Sequence, residues 1–241
     1  MSSGGRKRVD GQRAFVLHAH PYSESSLVVE MLTRDYGRLA LVAKGARRPM
    51  SSLRGRLMAF QSLEIGWFGS GEVKTLAKAD WTGIPGHLRG RGLLVGYYLN
   101  ELLLKLLPRE DPHPRLFDTY AETLSGLDGL AAEAALLRSF EKALLQELGY
   151  GLTLDKEADT GRPVEPGNRY LYVIERGPVR ASGDPEAESV AGRTLLDLAA
   201  GALDDPRSLA ESRTLMRRLL AHYLGGQTLQ SRRVFMELQE F

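Results

Sequence analysis

The chain has no cysteine. Disulfides, thiolate catalysis and cysteine-ligated zinc are thereby excluded, and no particular redox compartment is demanded. Long apolar runs are missing too. The most apolar stretch, Gly92–Leu107, is broken by Asn100, Glu101 and Lys105, and it is too short for a bilayer. It reads as a buried core helix. The opening MSSGGRKRVDGQR is polar with no apolar segment behind it, which is not the pattern of a secretory signal, so the cytoplasm is the expected compartment. The absence that says most about function is local. Between Tyr36 and Leu63 there is no Asp or Glu, yet Arg38, Lys44, Arg47, Arg48, Arg54 and Arg56 all fall there.

What is present bears on that gap. A formal net charge of +2 conceals a basic N-terminal third and a net-acidic remainder. The run GRLALVAKGARR is a short apolar strand that ends abruptly in Lys44, Arg47 and Arg48. Cations delivered to a surface without neighbouring carboxylates suit a polyanion, and nucleic acid is the expected partner. Arg forks pair with phosphate oxygens, while Lys44 acts as a point charge. The alternative for the same loop is a solubilising surface.

Period-two apolar runs divide the first 80 residues into five expected strands: Ala14–Ala19, Leu27–Leu32, Leu39–Ala43, Leu63–Phe68 and Val73–Ala77. Closure into a small barrel would remove the exposed edges of so small a sheet. The third and fourth strands are joined by Pro49–Gln61, whose Leu53, Leu57 and Phe60 fit one helical face. Three strands, a helical connection and two strands is the order of an OB-fold, with an SH3-like barrel as the alternative. Beyond Trp81–Gly90 the periodicity becomes helical: Gly92–Leu107, Pro114–Leu124, Ala131–Leu148, Thr194–Leu203 and Arg207–Tyr223. On Ala131–Leu148 the apolar stripe is Leu136, Leu137, Phe140, Leu144 and Leu148. Residues 151–190 form a Gly/Pro-punctuated insert with strand-like Tyr170–Glu175 and a second run near Val179. The expected class is α+β. An OB-fold spans 1–80, and a helical domain spans 81–241 with a small cysteine-free β insert that holds no zinc.

Chemistry-bearing motifs are few. His18 and His20 alternate onto one strand face without a third ligand at metal-site spacing. Asp155, Glu157 and Asp159 begin like a calcium loop, but Thr160 and Pro166 stand where glycine and glutamate are needed. No nucleophile elbow or paired-carboxylate site is visible, and no enzyme, metal or cofactor is expected. Tyr22, Tyr36, Trp67 and Phe68 lie in or beside the strands. Trp67 and Phe68 point to opposite faces, and Trp67 is the preferred exposed platform for a stacked base. Arg138 sits beside the apolar stripe of its helix, near a segment containing Tyr97, Tyr98, Leu99 and Leu103. It suits either a surface pair with Glu141 or capture of an acidic-aromatic peptide tail.

The segments AFVLHAHPYSESSLVVEMLTRDYGRLALVAKGARRP, FQSLEIGWFGSGEVKTL, YLNELLLKLLPREDPHPRLFDTY, LLRSFEKALLQELGYG and HYLGGQTLQSRRV resemble the bacterial recombination mediator family RecO, from residue 14 to residue 234. The resemblance implies a non-enzymatic DNA repair function. Such proteins bind single- and double-stranded DNA, anneal complementary strands held by the single-strand-binding protein SSB, and work with RecR and RecF to load RecA. It implies DNA contacts at Lys44, Arg47 and Arg48, supported by Arg38, Arg54, Arg56 and Lys74. It also implies an SSB-tail site at Arg138 with Tyr98, Leu99, Leu103 and Leu137. Many members carry a four-cysteine zinc site in the insert, which this chain cannot form. A protein-binding OB-fold adaptor without DNA contact is the alternative function, and a nucleic-acid enzyme with a site assembled across domains is a third.

Overall fold

Alternation of apolar residues in the first third is satisfied by a closed five-stranded barrel. In the computed structural model, which describes residues 8–83, 88–127, 133–182, 189–231 and 233–234, the strands are β1 (Arg8–Tyr22), β2 (Ser26–Thr33), β3 (Gly37–Ala43), β4 (Ser62–Phe68) and β5 (Val73–Trp81). Their order is β1-β2-β3-β5-β4, with β4 returning to β1. The β3–β5 pair is parallel and the others are antiparallel. This is the OB-like Greek-key arrangement. Strand β1 has fifteen residues because it serves two neighbours. It bends between them at register shifts between Val9 and Gln12 and between Val16 and His18. Gly11 occupies the first with φ +69°, where a side chain would be strained. Ala14, Val16, Val29, Met31, Leu39, Leu41, Leu63, Ile65 and Trp67 fill the interior.

One expectation is corrected here. The β3–β4 connection is not a helix but a series of turns, with Ser51, Arg54, Arg56 and Gln61 N–H groups each donating three residues back. Gly55 (φ +80°) and Phe60 (φ +69°) interrupt any helical path. Leu57 still packs into the barrel core, and Phe60 meets Tyr97 edge-on. The apolar spacing marked burial correctly; turns satisfy it as well as a helix would.

The chain divides into two compact units, Met1–Asp128 with Leu229–Phe241, and Gly129–Thr228. In the first, α1 (Gly90–Leu106) and α2 (Pro114–Gly126) follow the barrel. Asn100 joins three elements: its Nδ2 donates to Leu17 O on β1 at 2.7 Å, and its Oδ1 accepts from Tyr120 of α2. Burial pushes the Tyr120 phenol far up, so the hydroxyl stays a donor. Glu101 accepts from the Gln230 and Ser231 N–H groups at 2.8 and 2.9 Å and so ties in the C-terminal segment.

The second unit contains α3 (Glu133–Glu147), the strands β6 (Arg169–Val173), β7 (Gly177–Arg180) and β8 (Val190–Ala191), then α4 (Gly192–Ala200) and α5 (Pro206–Tyr223). The sheet order is β7-β6-β8. Backbone and side-chain bonds hold the insert: Ala158 N–H donates to Pro178 O at 2.7 Å, and Glu165 N–H donates to the Tyr170 hydroxyl at 2.9 Å. Among the described residues no three His, Asp or Glu side chains gather as a metal site. Lys142 donates to Leu198 O and Ala199 O, binding the carbonyl end of α4.

Glu211 of α5 links this unit's sheet to its helices. It accepts from Ala191 N–H at 2.8 Å, the Thr194 hydroxyl at 2.9 Å and Arg169 at 3.1 Å. Burial alone would raise its pKa, but these donors outweigh burial and hold it below the ordinary carboxylate value. A carboxyl with a depressed folded pKa stabilises the fold above its unfolded pKa, and that stability is lost as pH falls through the folded value. Urea midpoints should therefore separate native protein and Glu211→Gln at pH 7, with the gap narrowing below the carboxylate range. A gap independent of pH would contradict this account.

Candidate nucleic-acid interface

The loop after β3 is built around one inward residue. Ala46 is buried in the barrel cluster, so its neighbours are forced outward. Gly45 allows the reversal with φ +67°. Arg48 N–H donates to Gly45 O at 3.0 Å, and Arg47 N–H donates to Ser25 O at 2.9 Å. The Arg47 guanidinium reaches Ser23 O at 3.1 Å, so the β1–β2 turn and the basic loop form one continuous surface. Lys44, Arg47, Arg48 and Arg54 are exposed. Among the described residues none of the four lies within ion-pair distance of a carboxylate. Arg47 and Arg54 flank a cleft of about 290 Å³ whose other lining includes Leu27, Ala46, Leu53 and Leu57. Cationic rims over an apolar floor suit a sugar–phosphate chain with a base.

The other three expected cations are placed differently. Arg38 is bound by Glu30 at 3.0 Å and donates to Leu107 O at 3.0 Å. Arg56 holds Asp80 at 2.9 Å and Ala79 O at 2.8 Å. Lys74 is buried against Glu110 and Gly71 O. A span that lacks acids in sequence is not acid-free in space, because Glu30, Asp80 and Glu110 arrive from other segments. These three cations brace the barrel wall.

Trp67 requires a correction as a stacking platform. It is 2% exposed, lies in the barrel core and meets Tyr36 edge-on at 5.1 Å. The wide indole fills a small barrel better than Phe68 would, so Trp67 turns inward and Phe68 outward. The aromatics that do face solvent near the loop are His18, His20 and Tyr22, the last 55% exposed. Tyr22 is among the aromatics that the sequence offers, but the two histidines read from sequence only as an incomplete metal pair, and strand parity hides their face: Val16 points inward while His18, of the same parity, points outward. The extra residue at Leu17 is the cause.

The residues expected to hold an SSB tail are divided between the two units. Leu99 and Leu103 have no exposed surface and belong to the core, so neither can line an open pocket. Tyr98 and Leu137 are half-buried. Arg138 is buried and bonded to Glu141 Oε1 at 2.7 Å, while its Nε has no hydrogen-bond partner. On α3 the buried set is Glu133, Arg138, Phe140, Glu141, Leu144 and Leu145, which displaces the expected stripe around the helix. The ion pair with Glu141 allows the arginine to turn inward.

Two family models match, "Recombination protein O N terminal" over residues 10–85 and "Recombination protein O C terminal" over residues 88–233. Three curated relatives described as DNA repair protein RecO align along nearly the whole chain. That of Aromatoleum aromaticum is 58% identical over 236 residues, covering 98% of both chains. Those of Dechloromonas aromatica and an Azoarcus species are 55% and 54% identical, again over 98% of both. Among the described residues no helix is long and apolar enough to cross a membrane. With an OB-like barrel, a helical region bearing a three-stranded insert, and matches end to end, this chain belongs to the RecO family of non-catalytic DNA repair and recombination mediators.

Proposed function

We propose that the chain binds single- and double-stranded DNA through the β3–β4 loop, anneals complementary SSB-coated strands, and assists RecR in loading RecA. The observation that carries this reading is the exposed set Lys44, Arg47, Arg48 and Arg54, held by a loop whose backbone is anchored at Ala46 and Ser25. Neutralised phosphates let two like-charged strands approach, and no covalent step is needed. Recruitment would run through α3. An acidic tail that meets Arg138 must compete with Glu141 for the buried guanidinium and so must displace that pair.

Binding of bare oligonucleotides at several salt concentrations tests the loop. Four phosphate contacts predict a log–log slope of about −3 to −4 on duplex and about −3 on single strands. Affinity indifferent to salt would instead favour the protein-binding adaptor. Annealing of SSB-coated complementary strands then tests the rest.

A further inference from the structure

Beyond the bulge at Leu17, β1 presents a face that the phosphate-binding loop does not explain. His18, His20 and Tyr22 alternate along it, all exposed. Alternate residues of a strand project to the same side about 6.6–6.8 Å apart. The His18 and His20 rings face each other loosely, with centroids 5.9 Å apart and planes inclined by 28°. Next to them in register, Val28 of β2 and Val42 of β3 supply a half-buried apolar floor beside His20. The row ends in the turn whose Ser23 carbonyl receives Arg47, so the rings run directly into the cationic loop. The turn contributes one acidic side chain, Glu24, beside the three cations Lys44, Arg47 and Arg48.

A metal is a poor occupant for the two histidines. Among the described residues no third ligand gathers near them. Glu30, opposite His18 in register, is already held by Arg38 and Arg109. Exposed rings on a strand, with cations at one end, match the chemistry of an unpaired polynucleotide, because any base has a face that can stack. Paired bases in a duplex hide those faces.

We propose that His18, His20 and Tyr22 form a stacking track for unpaired bases of the strand whose phosphates the Lys44–Arg48 loop holds. This rests on the DNA-binding reading of that loop and divides its labour. The loop holds backbone from single strands and duplexes alike, and the β1 face selects the single strand.

The test compares a thymidine oligonucleotide with a blunt duplex of equal length. Replacing all three rings (His18→Ala, His20→Ala, Tyr22→Ala) should weaken single-strand binding about tenfold per engaged ring and leave duplex affinity within twofold. Tyr22→Phe should retain binding where Tyr22→Leu loses it, since only the first keeps a ring. Equal weakening of both substrates, or of neither, overturns the proposal. Native protein that binds both substrates with the expected salt dependence, while the ring variant matches it on both, leaves the loop reading standing and removes this one. Native protein that binds neither removes both.

Discussion

Gly37→Ala is expected to destabilise the barrel by about 3–5 kcal/mol, enough to consume much of the stability of an ordinary domain. Two effects combine. Gly37 has φ +68°, which costs a non-glycine residue about 1 kcal/mol or more. The larger effect is contact: an added Cβ would lie 2.1 Å from Asp111 O, 2.4 Å from its carbonyl carbon and 2.7 Å from its nitrogen. All three are backbone atoms and cannot rotate away. Relief requires the 108–111 segment to leave β3. That movement would break Glu110 N–H to Arg38 O, and it would pull Arg109 from Glu30 and Glu110 from Lys74. Stranding buried charges brings the loss to several kcal/mol. Gly11→Ala is the control, because φ is nearly the same at +69° but nothing lies within 4 Å of the added carbon. It should cost only about 1 kcal/mol. Equal urea midpoints for the two variants would show that backbone strain, not contact with Asp111, governs Gly37.

Residues 8–83 show what the sequence could and could not disclose. All five strands are legible, since each carries a short apolar run set off by turn residues or a connecting loop. What pattern reading lacks is partners. Arg38, Arg56 and Lys74 look like the exposed Arg47 and Arg48 until Glu30, Asp80 and Glu110 are folded against them. Likewise Trp67 and Phe68 were known to face opposite ways, but only the tight interior decides which of them is enclosed. A bulge defeats parity altogether: the register shift at Leu17 turns His18 and His20 outward, whereas from sequence they read as incidental for want of a third metal ligand. On α3 an apolar stripe cannot register that Arg138 and Glu141 pair with one another and go inside together.

Neutralising Lys44, Arg47 and Arg48 with glutamine is expected to lower DNA affinity about 100-fold at 0.15 M salt, and reversal to glutamate about 1,000-fold or more. Each phosphate contact releases close to one counterion from duplex DNA, so three lost contacts should flatten the log–log salt slope by about 3 units. Stability should barely move, because these side chains are exposed and the described ion pairs omit them. The matched set Arg38→Gln, Arg56→Gln and Lys74→Gln removes the same formal charge and should do the reverse. Loss of Arg38 leaves the buried Glu30 to Arg109 alone, and loss of Lys74 uncouples Glu110, so the melting midpoint should fall while the salt slope of the folded protein stays near native. Net charge is identical in the two triple variants, so a general electrostatic attraction would weaken DNA binding equally in both. A difference in slope between them locates the phosphates at the loop; equal slopes would mean that the barrel wall contributes as much as the loop and that the cations there are not committed to bracing it.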